Sequence, residues 1–228
     1  MMKKPDLKVV LLGDMNVGKT SLLHRYMERR FQDTVSTVGG AFYLKQWGPY
    51  NISIWDTAGR EQFHGLGSMY CRSASVIILT YDVCNMQSLV ELEDRFLDLT
   101  DTASDDCIFA VVGNKIDLTD DLEAAESDGE RLRRGSATKL RKQVHTEDAI
   151  ALYKRIMKYR MVDEIHAPAA DKMCFETSAK NGYNVDLLFE SVFNMVIPLI
   201  VKKKANGPDD TVNLAQNHHV KKAKSGCC

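Results

Sequence analysis

Residues 13–20 read Gly13-Asp14-Met15-Asn16-Val17-Gly18-Lys19-Thr20. Two glycines with four residues between them, then a lysine and a hydroxyl residue, make the pattern of a phosphate-cradling loop. Backbone N–H groups in such a turn can approach phosphate oxygens closely, and the start of the following helix adds partial positive charge. Lys19 would reach the β- and γ-phosphates, and the Thr20 hydroxyl would bind Mg²⁺. Ser21 extends the same set into the helix. The pattern counts only if a strand precedes it and a helix follows.

Asp56-Thr57-Ala58-Gly59 is a second candidate. An aspartate there could hold Mg²⁺ through water, and the Gly59 N–H could meet a γ-phosphate. Alone, the tetrapeptide reads equally well as an ordinary turn aspartate; its distance after Thr20 favours the phosphate reading. Asn114-Lys115-Ile116-Asp117 carries base-reading chemistry. Guanine offers N1–H and the N2 amine to one carboxylate, whereas adenine has an acceptor at N1 and no N2 amine. Asp117 therefore favours guanine, since a buried carboxylate facing adenine would go unpaired. Asn114 could reach the base N7, and the Lys115 stem could cover the ring. In Ser178-Ala179-Lys180 a backbone N–H could bond the guanine O6.

The elements that must position these loops follow from hydrophobic patterning. Residues 8–12, 75–82 and 107–114 are continuous apolar runs, as in strands buried on both faces. Residues 41–47 and 50–56 flank a Gly48-Pro49 turn and predict a hairpin, and 173–177 predict a short strand. Helical spacing covers 19–29, 88–102, 146–160 and 185–201. Strands alternating with helices argue for an α/β fold, a mainly parallel six-stranded sheet with helices on both faces. Ligands of such sheets sit beyond the carboxyl ends of the strands, which is where each motif falls.

The 228 residues fit one domain with extensions, 1–201, carrying a polar insertion at 118–144 that is acidic and then basic. Residues 202–228 read as a flexible tail. A formal net charge of −1 advertises no nucleic-acid partner. The first residues do not read as a secretory signal, and no apolar run approaches bilayer length. Cys71, Cys84, Cys107 and Cys174 stand singly and read as small buried hydrophobes suited to a reducing compartment. Cys227 and Cys228 are adjacent and terminal.

With GDMNVGKT, TVGG, WDTAG, NKID and ETSAK on the page, the chain resembles the Ras superfamily and, within it, the Rab family, over about residues 8–201. The resemblance implies a GTPase that alternates between GTP and GDP with Mg²⁺ and acts as a membrane switch in vesicle trafficking and protein transport. It implies that Thr37 binds Mg²⁺ only in the GTP state, joining Thr20 and Asp56, and that Lys19 and Thr37 belong to the catalytic set. It puts Phe31 against the base and Phe42, Trp55 and Tyr70 on the surface that meets effectors. The terminal Cys227-Cys228 is similar to the family's doubly geranylgeranylated ending; two lipids anchor stably where one does not, and Lys221, Lys222 and Lys224 would add attraction to anionic headgroups. The implied partners are effectors, an exchange factor, a GTPase-activating protein, Rab escort protein with geranylgeranyl transferase, and GDP dissociation inhibitor. The implied place is the cytoplasmic face of Golgi, endosomal or phagosomal membranes, with a cytosolic GDP-bound pool, and the implied state is a monomer.

The chain also departs from the family. Arg60 stands where a glutamine orients the attacking water, and Gln62 lies two positions on. Met15 replaces a small residue in the phosphate loop. The stretch from Thr20 to Thr37 is one residue short, and Gly40-Ala41 replaces Val-Asp. Arginine has only donors and cannot accept a proton from water, so intrinsic hydrolysis is expected to be slow. A GTP-binding scaffold with very weak hydrolysis therefore stays open beside the switch, and a P-loop nucleotide kinase is disfavoured by NKID.

Overall fold

The computed structural model describes residues 5–59, 64–119, 139–163 and 167–205. Six strands form one sheet: β1 (Leu7–Leu12), β2 (Gly40–Trp47), β3 (Tyr50–Thr57), β4 (Val76–Asp82), β5 (Ile108–Asn114) and β6 (Cys174–Glu176). Their spatial order is β2-β3-β1-β4-β5-β6. Only the β2–β3 hairpin is antiparallel; the other four pairings are parallel. Every residue of β5 and all but the last of β4 are buried, which requires cover on both faces. On β2 exposed positions alternate with half-buried ones, as for an edge strand with one face to solvent.

The helices are α1 (Lys19–Glu28), α2 (His64–Cys71), α3 (Met86–Glu91), α4 (Thr146–Tyr159), α5 (Ala170–Met173) and α6 (Val185–Ala205). α1 and α6 lock through stacked Tyr26 and Phe189, whose ring centroids are 4.1 Å apart. α6 runs through Pro198. The carbonyl that a proline leaves without a donor is four residues back, at exposed Asn194, where water can satisfy it.

Three segments differ from expectation; the shortest is the turn of helix α5, which takes Met173 from the predicted 173–177 strand and leaves Cys174–Glu176. The predicted single helix over 88–102 is three pieces: α3, capped by the Asn85 side chain accepting from the Gln87 N–H, then a π turn at Leu92–Phe96 and a 3₁₀ turn at Asp98–Thr102. The wider turn shifts the phase of the helical face. Leu92, Phe96 and Leu97 are all buried, and Arg95 is carried toward the phosphate loop. The third difference is α2, which Gly65 and Gly67 hid from pattern reading.

The ends of the polar insertion are tied into the domain. The Leu140 N–H donates to the Leu118 carbonyl at 2.8 Å, the Gln143 and Val144 N–H groups donate to the Val83 carbonyl, and Val144 is fully buried. Residues 120–138 of the insertion lie outside the described residues, as do Arg60, Gln62, and the tail from 206 onward with its lysines, Cys227 and Cys228. Among the described residues no helix is long and apolar enough to cross a membrane.

Candidate functional site

The expected loops converge on a cavity of about 380 Å³ at the carboxyl edge of the sheet. The turn between β1 and α1 supplies Met15, Asn16, Gly18, Lys19, Thr20 and Ser21 to its wall. The turn is tight because of its neighbours: a Cβ on Gly13 would stand 2.2 Å from the Thr80 carbonyl oxygen, and one on Gly18 2.3 Å from the Asn114 amide nitrogen. Asn16 (φ 62°) and Gly18 (φ 95°) adopt left-handed backbone, the geometry that turns successive N–H groups inward on an anion.

Lys19 is almost wholly buried, and its ammonium donates to the Gly13 and Asp14 carbonyls at 2.7 and 2.8 Å. Burial lowers its pKa to about 8, partly opposed by Asp56 and Asp14. Two of its three N–H donors hold the loop, which leaves one for a phosphate oxygen.

Asp56 is the penultimate residue of β3 and stands behind the floor of the cavity. Its Oδ2 accepts from Thr20 Oγ1 at 2.7 Å and from Thr37 Oγ1 at 3.1 Å, and the two hydroxyls are 3.1 Å apart. Oδ1 is buried without a hydrogen-bond partner among the described residues. Burial raises the Asp56 pKa, opposed by the Thr20 bond, Lys19 and the Thr37 bond. Two hydroxyls and one under-satisfied carboxylate meeting at a point is an oxygen donor set suited to Mg²⁺. Gly59 packs on the phosphate loop; a Cβ there would stand 2.3 Å from the Met15 nitrogen.

At the other end, Asn114 is fully buried and bridges two loops. Its amide donates to the Val17 carbonyl at 2.9 Å, and its Oδ1 accepts from the Ala179 N–H at 3.1 Å. The amide has a second N–H, which remains for the base. Asp117 Oδ1 accepts from Ser178 Oγ at 2.5 Å, so that carboxylate is oriented with Oδ2 left over. Lys115 has left-handed backbone (φ 72°), and its ammonium pairs with Asp82 at 2.7 Å. Phe31, half-exposed, lines the cavity with Lys115, Asp117, Ala179 and Lys180.

Gly13, Asp14, Val17, Asp56 and Ser178 thus stand one layer behind the wall and hold those that form it. Sequence reasoning missed Thr34, Val35, Ser36, Thr57 and Leu118, which line the cavity. It also missed three positioning residues: Asp82 on Lys115; Arg25 of α1, which donates to the Ala179 and Lys180 carbonyls; and Arg95, which reaches Glu91 at 2.9 Å and Asp14 at 3.4 Å. Asp82 carried a readable signal, an acid closing a buried strand at the ligand edge. Outside the cavity, Phe42 and Trp55 face each other across β2 and β3 with centroids 5.0 Å apart, and Tyr70 follows Trp55 at 5.4 Å.

A glycine-rich anion cradle, an oxygen donor set for Mg²⁺ and an oriented carboxylate at the far end of one cavity define a guanine-nucleotide-binding G domain. The profile of the Ras family matches residues 8–197, and the chain belongs to that family. It is 66% identical to Ras-related protein Rab-20 of Homo sapiens over the full length of both chains, and 66% identical to the Mus musculus Rab-20 with the same coverage. It is 34% identical to the Ypt/Rab-type GTPase YPT7 of Saccharomyces cerevisiae, with 83% of this chain and 81% of the relative covered. The run from Trp55 to Arg72 and the mid-chain insertion look like the divergent Rab-20, and the 66% identity bears that out. The protein is therefore a Rab-type small GTPase in membrane trafficking, one that binds GTP or GDP with Mg²⁺ and hydrolyses GTP to GDP and phosphate. It works with regulators and effectors, and it is membrane-associated through a lipid anchor.

Proposed function

We propose that the chain is a GTP-gated membrane switch on the endocytic, phagosomal or Golgi pathway, in which Thr37 reports the nucleotide. The observation that carries this is the meeting of Thr37 with Thr20 and Asp56 at 3.1 Å. Thr37 lies on the loop whose residues Thr34 to Thr37 wall the cavity, so ligation of Thr37 orders that loop. Thr20 and Thr37, with Asp56, would hold Mg²⁺, which would neutralise phosphate charge. Lys19 holds the β- and γ-phosphates and the loop carbonyls together. Asn114 and Asp117 hold the base, the latter kept in register by Ser178. Phe42, Trp55 and Tyr70 form the face that an effector reads once the loop is ordered.

Cys227 and Cys228 carry the lipid in this reading, put in place by Rab escort protein with geranylgeranyl transferase. GDP dissociation inhibitor keeps a cytosolic GDP-bound pool; an exchange factor and an activating protein complete the cycle. Deleting the two cysteines is expected to move the protein from the membrane pellet to the cytosolic fraction while GDP affinity stays within about twofold, since they lie far along the chain from the pocket. Fractionation and fluorescent-GDP titration read both. A deletion variant that still pellets would count against lipid attachment there.

Arg60 and Met15 keep a second reading in view, a scaffold that binds GTP and hardly hydrolyses it. Met15 is 42% exposed at the cavity wall, the position at which the family resemblance implies a small residue and room for a partner's arginine. Water orientation and charge stabilisation are separate contributions to phosphoryl transfer. Arg60→Gln restores an acceptor for the water and is expected to speed single-turnover hydrolysis by about 10- to 100-fold. A slower variant would make Arg60 a cis-acting arginine and reverse this assignment.

A further inference from the structure

Position 40 has no side chain, and a ring from another element fills the space. Gly40 opens β2 opposite Thr57 of β3. Its φ is negative, so the backbone itself would accept any L residue. What excludes a side chain is Tyr70 of α2. A Cβ at position 40 would stand 2.8 Å from Tyr70 Cζ, 2.9 Å from its hydroxyl oxygen and 3.2 Å from Cε1. Tyr70 leans on Trp55 with centroids 5.4 Å apart. The Lys8 ammonium sits 5.3 Å from the centroid of the same indole and donates to the Arg72 carbonyl, just past the end of α2, at 2.9 Å. Helix α2 is thus held against the sheet by Gly40, Trp55 and Lys8.

On the other side of Gly40 the chain leads directly to the site. The Gly39 carbonyl accepts from the Ala58 N–H at 2.9 Å. Two residues earlier is Thr37, with its hydroxyl 3.1 Å from both Thr20 and Asp56. Two residues, Val38 and Gly39, therefore separate the hydroxyl at the proposed metal position from the backbone on which the Tyr70 ring rests.

We infer that Gly40 is a positioning residue of the switch: the absence of a side chain lets Tyr70 pack on the strand beside Thr37 and so couples the placement of Thr37 to that of helix α2. Coupling of this kind is reciprocal. If closing the Thr37 loop favours the seated Tyr70, unseating Tyr70 opens the loop by the same factor. Packed contacts switch between discrete arrangements rather than deform smoothly, so a single added side chain suffices to unseat the ring. The coupling rests on the role of Thr37 proposed above.

The test uses the full chain loaded with fluorescent GDP or a fluorescent non-hydrolysable GTP analogue in Mg²⁺, and follows release. Gly40→Val is expected to release the GTP analogue about tenfold faster, within the usual range of coupling factors, with GDP release unchanged. Tyr70→Leu alone removes the seated ring and is expected to release the GTP analogue faster in the same way, and adding Gly40→Val to it is expected to change release by no more than about twofold further. Gly40→Ala, whose Cβ alone makes the 2.8 Å contact, gives a smaller effect in the same direction and serves if the valine variant does not fold. Thr37→Ala is the reference and is expected to lose the GTP analogue faster with GDP retained. Normal release from both position-40 variants beside a fast Thr37→Ala would overturn the coupling and leave the Thr37 role intact. A further loss of about tenfold on adding Gly40→Val to Tyr70→Leu would also overturn it, since the two substitutions would then act independently. Normal release from Thr37→Ala would remove the metal-sensing role and the coupling together.

Discussion

Asp117→Asn is expected to convert the pocket from guanine to xanthine nucleotides. Asp117 lines the cavity, and its Oδ1 is fixed by the Ser178 hydroxyl at 2.5 Å, which leaves Oδ2 as the acceptor for the two donors on the guanine edge. An asparagine amide presents a donor where that acceptor was. Guanine then faces donor against donor, while xanthine carries an oxygen at C2 that the amide can meet. A site that hydrogen-bonds its substrate in this way rejects the wrong partner by about 10⁴-fold, so the preference between GTP and XTP should move by several orders of magnitude. Competition of the two nucleotides against fluorescent GDP measures it directly. An unchanged preference would mean that Asp117 does not read the base. Ser178→Ala should weaken guanine binding more modestly, since it loosens the carboxylate without changing its chemistry.

Removing the ammonium of Lys19 should have the other large effect, on affinity itself. The group is buried, and it ties the Gly13 and Asp14 carbonyls at 2.7 and 2.8 Å while facing the cavity. Lys19→Ala takes away a buried charged donor, leaves two carbonyls without it, and leaves the phosphates unmatched. Truncating one partner of such a buried charged pair costs about 4 kcal/mol, roughly a thousandfold in Kd. Titration of the variant with fluorescent GDP in Mg²⁺ reads it, and far-ultraviolet circular dichroism confirms that the sheet is intact. A Kd within tenfold of the parent would contradict the phosphate role of Lys19.

Much of this site was readable because each motif stands at the end of an apolar run that can only be a buried strand. The runs at 8–12, 75–82 and 107–114 became β1, β4 and β5 with ends shifted by a residue, and the loops after them carry chemistry through residue type. What could not be read is what side chains do for one another across the chain. Asn114 looked like a base contact, and it also joins the Val17 and Ala179 loops. Ser178 looked like part of the O6 contact, and its hydroxyl orients Asp117. Arg25 and Arg95 lie on helical faces with nothing in the sequence to show that they reach loops 154 and 81 residues away. Helix α2 went unseen because two glycines lower its propensity, and its hold on the sheet comes from tertiary contacts of Tyr70 that no local pattern encodes. Gly40-Ala41 was visible as a departure, but its consequence needed the position of the Tyr70 ring.

Four loops, carrying Lys19, Asp56, Asn114 with Asp117, and Ser178 with Ala179, are expected to form one site specific for guanine nucleotides. Competition against bound fluorescent GDP, with the full chain in excess Mg²⁺, tests it most directly. GTP and GDP should displace the probe at concentrations near that of the protein, and ATP should fail to do so at a thousandfold excess. Displacement by ATP at concentrations comparable to GTP would contradict the account.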